Sequence, residues 1–179
     1  MIQSGDILLC KGNSFVDRLI KWGTKSVYSH VSVVASAALG LVIEAIPAGG
    51  VRAISIKNYK TKYDIYRIKD PASFRVSEVT AYLIKMLARK YDFESTIRLT
   101  GKIALRRLKL VKLFGLKLIG RKQAADRLQE DNDYFCSELC YRAFMAGGLD
   151  IAPQIGDAET TSPGDIARSP LITKVESKH

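Results

Sequence analysis

The hydrophobic positions of this chain change period about halfway along it. Up to residue 68 the apolar residues alternate or cluster in short β-branched runs: "GDILLC" (5–10), "YSHVSVVASA" (28–37), "LGLVIEAI" (39–46), "AGGVRAISI" (48–56) and "KYDIYRI" (62–68). Alternation of this kind predicts half-buried strands, and the tight connection between the second and third predicts a hairpin. One short helix interrupts them, "SFVDRLIKWGTK" (14–25), with Val16, Leu19, Ile20 and Trp22 at helical spacing. Beyond residue 72 the period becomes helical. "SFRVSEVTAYLIKMLARKYDF" (73–93) places Val79, Leu83, Met86 and Leu87 on one face, with Ser77 as its expected N-cap. "YFCSELCYRAFMAGG" (134–148) predicts a second helix that stops at Gly147-Gly148. "TTSPGDIARSP" (160–170) reads as a loop and "LITKVE" (171–176) as a last strand. Strands, then helices, then one strand argue an α+β fold, and the length fits a single domain over residues 1–179.

Composition adds a partner class. Hydrophobic residues make up 47% of the chain, enough for a sizeable core, and the formal net charge is +10. That balance favours an anionic partner: a lipid surface, a nucleic acid or an acidic polymer. Much of the charge sits in "RLTGKIALRRLKLVKLFGLKLIGRK" (98–122), a basic helical insertion without an acidic residue. On a helical wheel Lys102, Arg106, Lys109, Lys112 and Lys117 fall together, largely opposite Ile103, Leu108, Phe114 and Leu118. Leu105, Leu113 and Leu116 intrude on the basic side. Lys109, Lys112 and Lys117 are candidate contacts with an anionic membrane. The alternative is a pair of core-packing helices with a solvated basic face. Nucleic acid is not expected, because aromatic stacking residues are scarce in the segment. No signal-peptide pattern and no apolar run of spanning length are seen, so a cytoplasmic protein with at most a peripheral membrane contact is expected.

The candidate chemistry rests on few residues. Cys10, Cys136 and Cys140 are the three cysteines, and no Cys/His cluster has metal-site spacing, so neither a metal nor a cofactor is expected. Cys136 stands at the start of its helix, where free N–H groups and the helix dipole favour a negative sulfur. Cys140 lies a turn deeper and reads as core, as does Cys10 in its apolar strand. There are two histidines, and His179 ends the chain in a charged tail. That leaves His30, at the start of a strand, as the base for a Cys–His pair. Such a pair needs a third group to orient the imidazole. Glu44, an acid inside the apolar run "LVIEAI", is the candidate; the competing reading puts it on a solvated face. His30 and Glu44 share a face only if the hairpin loop is odd in length or a bulge shifts the register.

These residues lie in pieces that resemble a known group. "GDILL" (5–9), "SHVSVV" (29–34), "VIEA" (42–45), "KYDF" (90–93), "YFCSEL" (134–139) and "SPGDIARS" (162–169) are similar, in order, to the circularly permuted NlpC-type papain-like hydrolases of the YiiX/YaeF branch. That branch is distantly similar to lecithin:retinol acyltransferase. The resemblance implies a permuted papain-like fold, with an antiparallel sheet or half-barrel packed on helices. It implies Cys136 as nucleophile, His30 as base and Glu44 as the orienting third residue. Tyr134 would stand beside the nucleophile and assist the oxyanion, and Tyr91 would be structural or pocket-lining. The implied activity is a thiol hydrolase or acyltransferase acting on amide or ester bonds through a Cys136 thioester, with a peptidoglycan-type peptide or a lipid as substrate. The rival is a catalytically degenerate module of the same fold that binds a lipid or acyl group.

Overall fold

The computed structural model describes residues 1–46, 49–89 and 135–178. Tyr91, Tyr134 and the segment 98–122, with Lys109, Lys112 and Lys117, lie outside the described residues. The alternating segments form β1 (Ile7–Cys10), β2 (His30–Ser36), β3 (Leu41–Ile46), β4 (Gly50–Ser55) and β5 (Tyr63–Ile68), and the C-terminal run forms β6 (Ile172–Lys178). The helices are α1 (Phe15–Thr24), α2 (Val76–Lys85), α3 (Cys136–Ala146) and the short α4 (Pro163–Ala167). The strands make one antiparallel sheet in the order β4-β3-β2-β1-β5-β6. The architecture is α+β, as the order of periods predicts.

Position in the sheet explains composition. β1 is an inner strand and all four of its residues are buried, so "ILLC" carries no alternation of polarity. The two faces nonetheless differ. Ile7, Leu9, Val31, Val33, Ile43 and Ala45 point to the helices, where they meet Val79 and Leu83 of α2 and Leu139 and Phe144 of α3. Leu8, Cys10, Val34, Val42, Tyr63 and Ile65 form a second, smaller cluster on the other face. The register shifts between Val34 and Ser36 in the β2–β3 pair. Below that irregularity Val34 pairs with Val42, so the even-numbered residues of both strands share a face. His30 and Glu44 are both among them.

α3 is placed from both ends. Its buried stripe of Cys136, Leu139, Cys140, Ala143 and Phe144 follows helical spacing and packs on α2 and the sheet. Phe144 is fully buried with its ring against Phe74, so truncation to Ala would cost about 3–5 kcal/mol. At the far end a Cβ on Gly147 would stand 2.6 Å from Val79 Cγ2, which explains glycine there. At the near end the buried Ser137 hydroxyl donates to the Thr161 carbonyl at 2.7 Å, tying the first turn of α3 to the segment before α4.

Three local expectations are corrected. The N-cap of α2 is Arg75, not Ser77; the Arg75 carbonyl receives the Glu78 and Val79 N–H groups, which starts the helix two residues earlier. α2 also ends at Lys85 rather than continuing. Ala88 turns left-handed at φ 65°, and Ala88 and Arg89 then hydrogen-bond with Val51 of β4. The "SPGDIA" run is a helix rather than a loop. Ser162 and Asp165 form a reciprocal capping box around Pro163.

Candidate active site

β2 begins at His30 and α3 begins at Cys136, so two element ends deliver the imidazole and the thiol. The N-cap of α3 is Phe135, which has no side-chain cap. The first intrahelical bond runs from Leu139 N to Phe135 O, so the N–H groups of Cys136, Ser137 and Glu138 precede the helical ladder. Cys136 and His30 line the same cavity, and the sulfur acts directly on the imidazole, raising its affinity for a proton. His30 Nε2 meets Glu44 Oε2 at 2.8 Å, which leaves Nδ1 for the sulfur side. Cys136 and Glu44 are buried and His30 is partly so. The three residues that the sequence singled out thus line one cavity, and Glu44 faces inward rather than to solvent.

Two residues that the sequence reading did not select complete the surroundings of Glu44. Arg52, its cross-strand partner on β4, donates from Nε at 3.0 Å and from a terminal nitrogen at 2.7 Å, both to Oε1. Tyr59 donates its phenol proton to Oε2 at 2.8 Å. A lone arginine alternating with small and apolar residues in "GVRAIS" was a usable signal for the first. Tyr59 follows a turn of 3₁₀ helix (Ile56–Asn58) and carried no pattern.

Burial alone would push Glu44 upward, but its bond and attraction to His30, with the Arg52 and Tyr59 bonds, hold it down at about 2. It is therefore a carboxylate at neutral pH. Burial alone would lower His30. The opposing charge of Cys136 and the hydrogen bonds with Cys136 and Glu44 outweigh it and raise the imidazole well above its ordinary value. Because ionised Glu44 only accepts, His30 Nε2 carries the donated proton.

These residues stand in the wall of a cavity of about 590 Å³, with Cys10, Tyr59 and Asp17 beside them. Cys10 pairs with His30 across β1 and β2. Burial raises Cys10, and it raises Cys140 further still inside the core. Glu138 forms an ion pair with Arg142 one turn along, a helix-stabilising role.

Comparison with protein families and with curated proteins gives no match. Among solved structures the chain shares the α+β fold of the YiiX type. One such neighbour is the metalloprotein YiiX of Escherichia coli O157:H7, with a TM-score of 0.66 and 17% identity over 98% of this chain and 97% of that one. At that identity the likeness concerns the fold. Among the described residues no group of three or more His, Cys, Asp or Glu side chains is arranged to hold a metal ion. Both Glu44 oxygens and His30 Nε2 are engaged with one another, with Arg52 and with Tyr59. These donors do not fit a metal centre.

Proposed function

We propose that the protein is a cysteine-dependent hydrolase or acyltransferase of permuted papain-like type, acting on amide or ester bonds through a thioester on Cys136. One observation carries the reading: a single imidazole is hydrogen-bonded to a buried carboxylate and shares a cavity wall with a helix-start thiol that acts on it. In this mechanism His30 takes the Cys136 proton and the sulfur attacks the acyl carbon. The first-turn N–H of Cys136 donates to the oxygen as it becomes negative. His30 then returns the proton to the leaving amine or alcohol. Water or another acceptor, deprotonated by His30, releases the acyl group. Glu44 keeps the imidazole oriented and stabilises it while charged; pinned by Arg52, it does not take the proton itself. Tyr134, next but one to the nucleophile in sequence, is a further candidate oxyanion donor, and Tyr91 a pocket residue. The substrate class is a peptide or a lipid. The net charge of +10, with Lys109, Lys112 and Lys117, makes an anionic membrane surface the proposed location of encounter.

The test is to treat the full chain with an electrophilic acyl probe and map the adduct by mass spectrometry. Labelling at Cys136, slowed in His30→Ala, is the expected result. Equal labelling of Cys10, Cys136 and Cys140 would leave only an acyl-binding module of the same fold.

A further inference from the structure

We infer that Tyr59 is a positioning residue of this site, whose phenol holds Glu44 against His30 and draws the Cys10 thiol and the Ser32 hydroxyl into the same buried network. The inference rests on the thiol reading above. Tyr59 OH lies 2.8 Å from Glu44 Oε2, 3.0 Å from Ser32 Oγ and 3.3 Å from Cys10 Sγ. Glu44 is ionised and offers no proton, so Tyr59 must donate to it. Its single proton is thereby committed. Ser32 must then donate to the phenol oxygen, and the one Cys10 proton has two acceptors in reach, that oxygen and the Leu8 carbonyl at 3.7 Å. The directions of the two bonds between oxygens follow from one charge.

This arrangement separates two functions of the carboxylate. Arg52 occupies Oε1 and supplies the counter-charge; Tyr59 shares Oε2 with His30 and fixes where that oxygen points. Without the phenol, Oε2 has His30 alone to hold it, and the carboxylate is free to rotate about its own axis toward Arg52. The phenol is itself fixed. Tyr59 N bonds to Ile56 O at 3.2 Å, and its ring stands edge-on to Tyr63 at 5.5 Å between centroids. Burial and the neighbouring Glu44 carboxylate push its own ionisation far above the ordinary phenol range, so it remains a donor at any working pH. Burial, rather than the Tyr59 contact, keeps Cys10 a thiol, although it lines the cavity with Cys136.

The experiment is a double-mutant cycle on the full chain, read as the alkylation rate of Cys136 by iodoacetamide near pH 6, with the site mapped by mass spectrometry. Tyr59→Phe should slow alkylation by about tenfold, the scale of one hydrogen bond to a charged group. Glu44→Gln should slow it at least as much. The double variant should be no slower than Glu44→Gln alone, because Tyr59 acts through Glu44. Ser32→Ala, which removes only a donor to the phenol, should shift the rate in the same direction by less. A Tyr59→Phe variant at the wild-type rate overturns the inference, and so do multiplicative losses in the double variant, which mark a general structural role. If wild-type Cys136 reacts no faster than Cys140, the thiol reading itself fails and takes this inference with it. A wild type with fast Cys136 and additive Tyr59 and Glu44 effects sinks the positioning role alone.

Discussion

Two buried carboxylates sit on opposite faces of the same sheet, Glu44 on β3 and Asp64 on β5, and both are almost inaccessible to solvent. Each is surrounded by donors. Glu44 has His30, Arg52 and Tyr59; Asp64 has Lys11 at 2.9 Å, Lys174 at 2.8 Å and the Tyr28 phenol. Burial works against both charges, and the donors reverse it, holding both acids below the usual carboxylate range. The electrostatic construction is therefore the same. What differs is the chemistry of one partner. The ammonium and phenol groups around Asp64 keep their protons throughout the neutral range. The imidazole beside Glu44 can give its proton up, and on its other side lies a thiol. A buried, strongly perturbed acid does not by itself mark a site; a perturbed acid facing a proton-exchanging group does.

The largest expected effect tests that distinction directly. Cys136→Ser should reduce acyl-probe labelling and any acyl turnover to background. Asp64→Asn should leave the labelling rate within about twofold while costing about 1–3 kcal/mol of stability, because the buried Tyr28 phenol loses the carboxylate that accepts from it. Denaturant melts and labelling time courses on the same preparations read both quantities. A large labelling loss in Asp64→Asn would erase the difference between the two clusters. Next in size, His30→Ala should slow Cys136 alkylation near pH 6.5 by about 10²-fold, the lower range for removal of a positioned acid–base group. An unchanged rate would mean that the helix start alone activates the sulfur.

The two clusters should also separate along the pH axis. Glu44 lies at about 2 in the fold against an ordinary 4.5, so it contributes stability above pH 4.5 that is lost as pH falls toward 2. That difference corresponds to on the order of 3 kcal/mol. Asp64 is shifted in the same direction and adds to the same acid limb. His30 is shifted upward, so its contribution is complete below its ordinary 6.5 and fades as pH rises through the raised value. The stability profile should therefore have an acid limb from both clusters and an alkaline limb from the Glu44 cluster. Urea melts across pH should show the alkaline limb weakened in His30→Ala and retained in Asp64→Asn. An alkaline limb of equal size in His30→Ala would assign it to other groups.

The same contrast explains what was legible in the sequence. β2 and β3 declare themselves by alternation, and with one histidine outside the C-terminal tail the imidazole of this cluster was singled out by elimination. Glu44 stood out as an acid in an apolar run, but its face depended on loop parity. The shift between Val34 and Ser36 settles that parity, and nothing in "VVASAALGL" announces it. Arg52 and Tyr59 were missed because partner choice across a sheet depends on register, which periodicity does not contain. Asp64 was missed for the same reason: Lys174 lies more than a hundred residues away. The capping box at Ser162 and Asp165 was readable, yet the turn-rich composition around it favoured a loop. Sequence thus marks the chemistry-bearing residues better than it marks those that hold them in place.

The smallest effect sharpens the comparison most. Arg52 and Lys174 are matched cations: their side chains are 46% and 45% exposed, and each is bonded to one of the two buried carboxylates. Half-exposed pairs contribute little, so Arg52→Gln and Lys174→Gln should each lower the denaturation midpoint only slightly, with the remaining donors still holding the acid. In denaturation the two variants should be hard to tell apart. In alkylation they should differ. Loss of Arg52 frees Oε1 and loosens the carboxylate that orients His30, so Cys136 should react about two- to fivefold more slowly near pH 6, less than one full charged hydrogen bond because Tyr59 remains. Loss of Lys174 touches a carboxylate with no imidazole beside it, and the rate should stay at the wild-type value. Matched stability losses with matched alkylation rates would mean that Glu44, like Asp64, is an anion held for the fold alone.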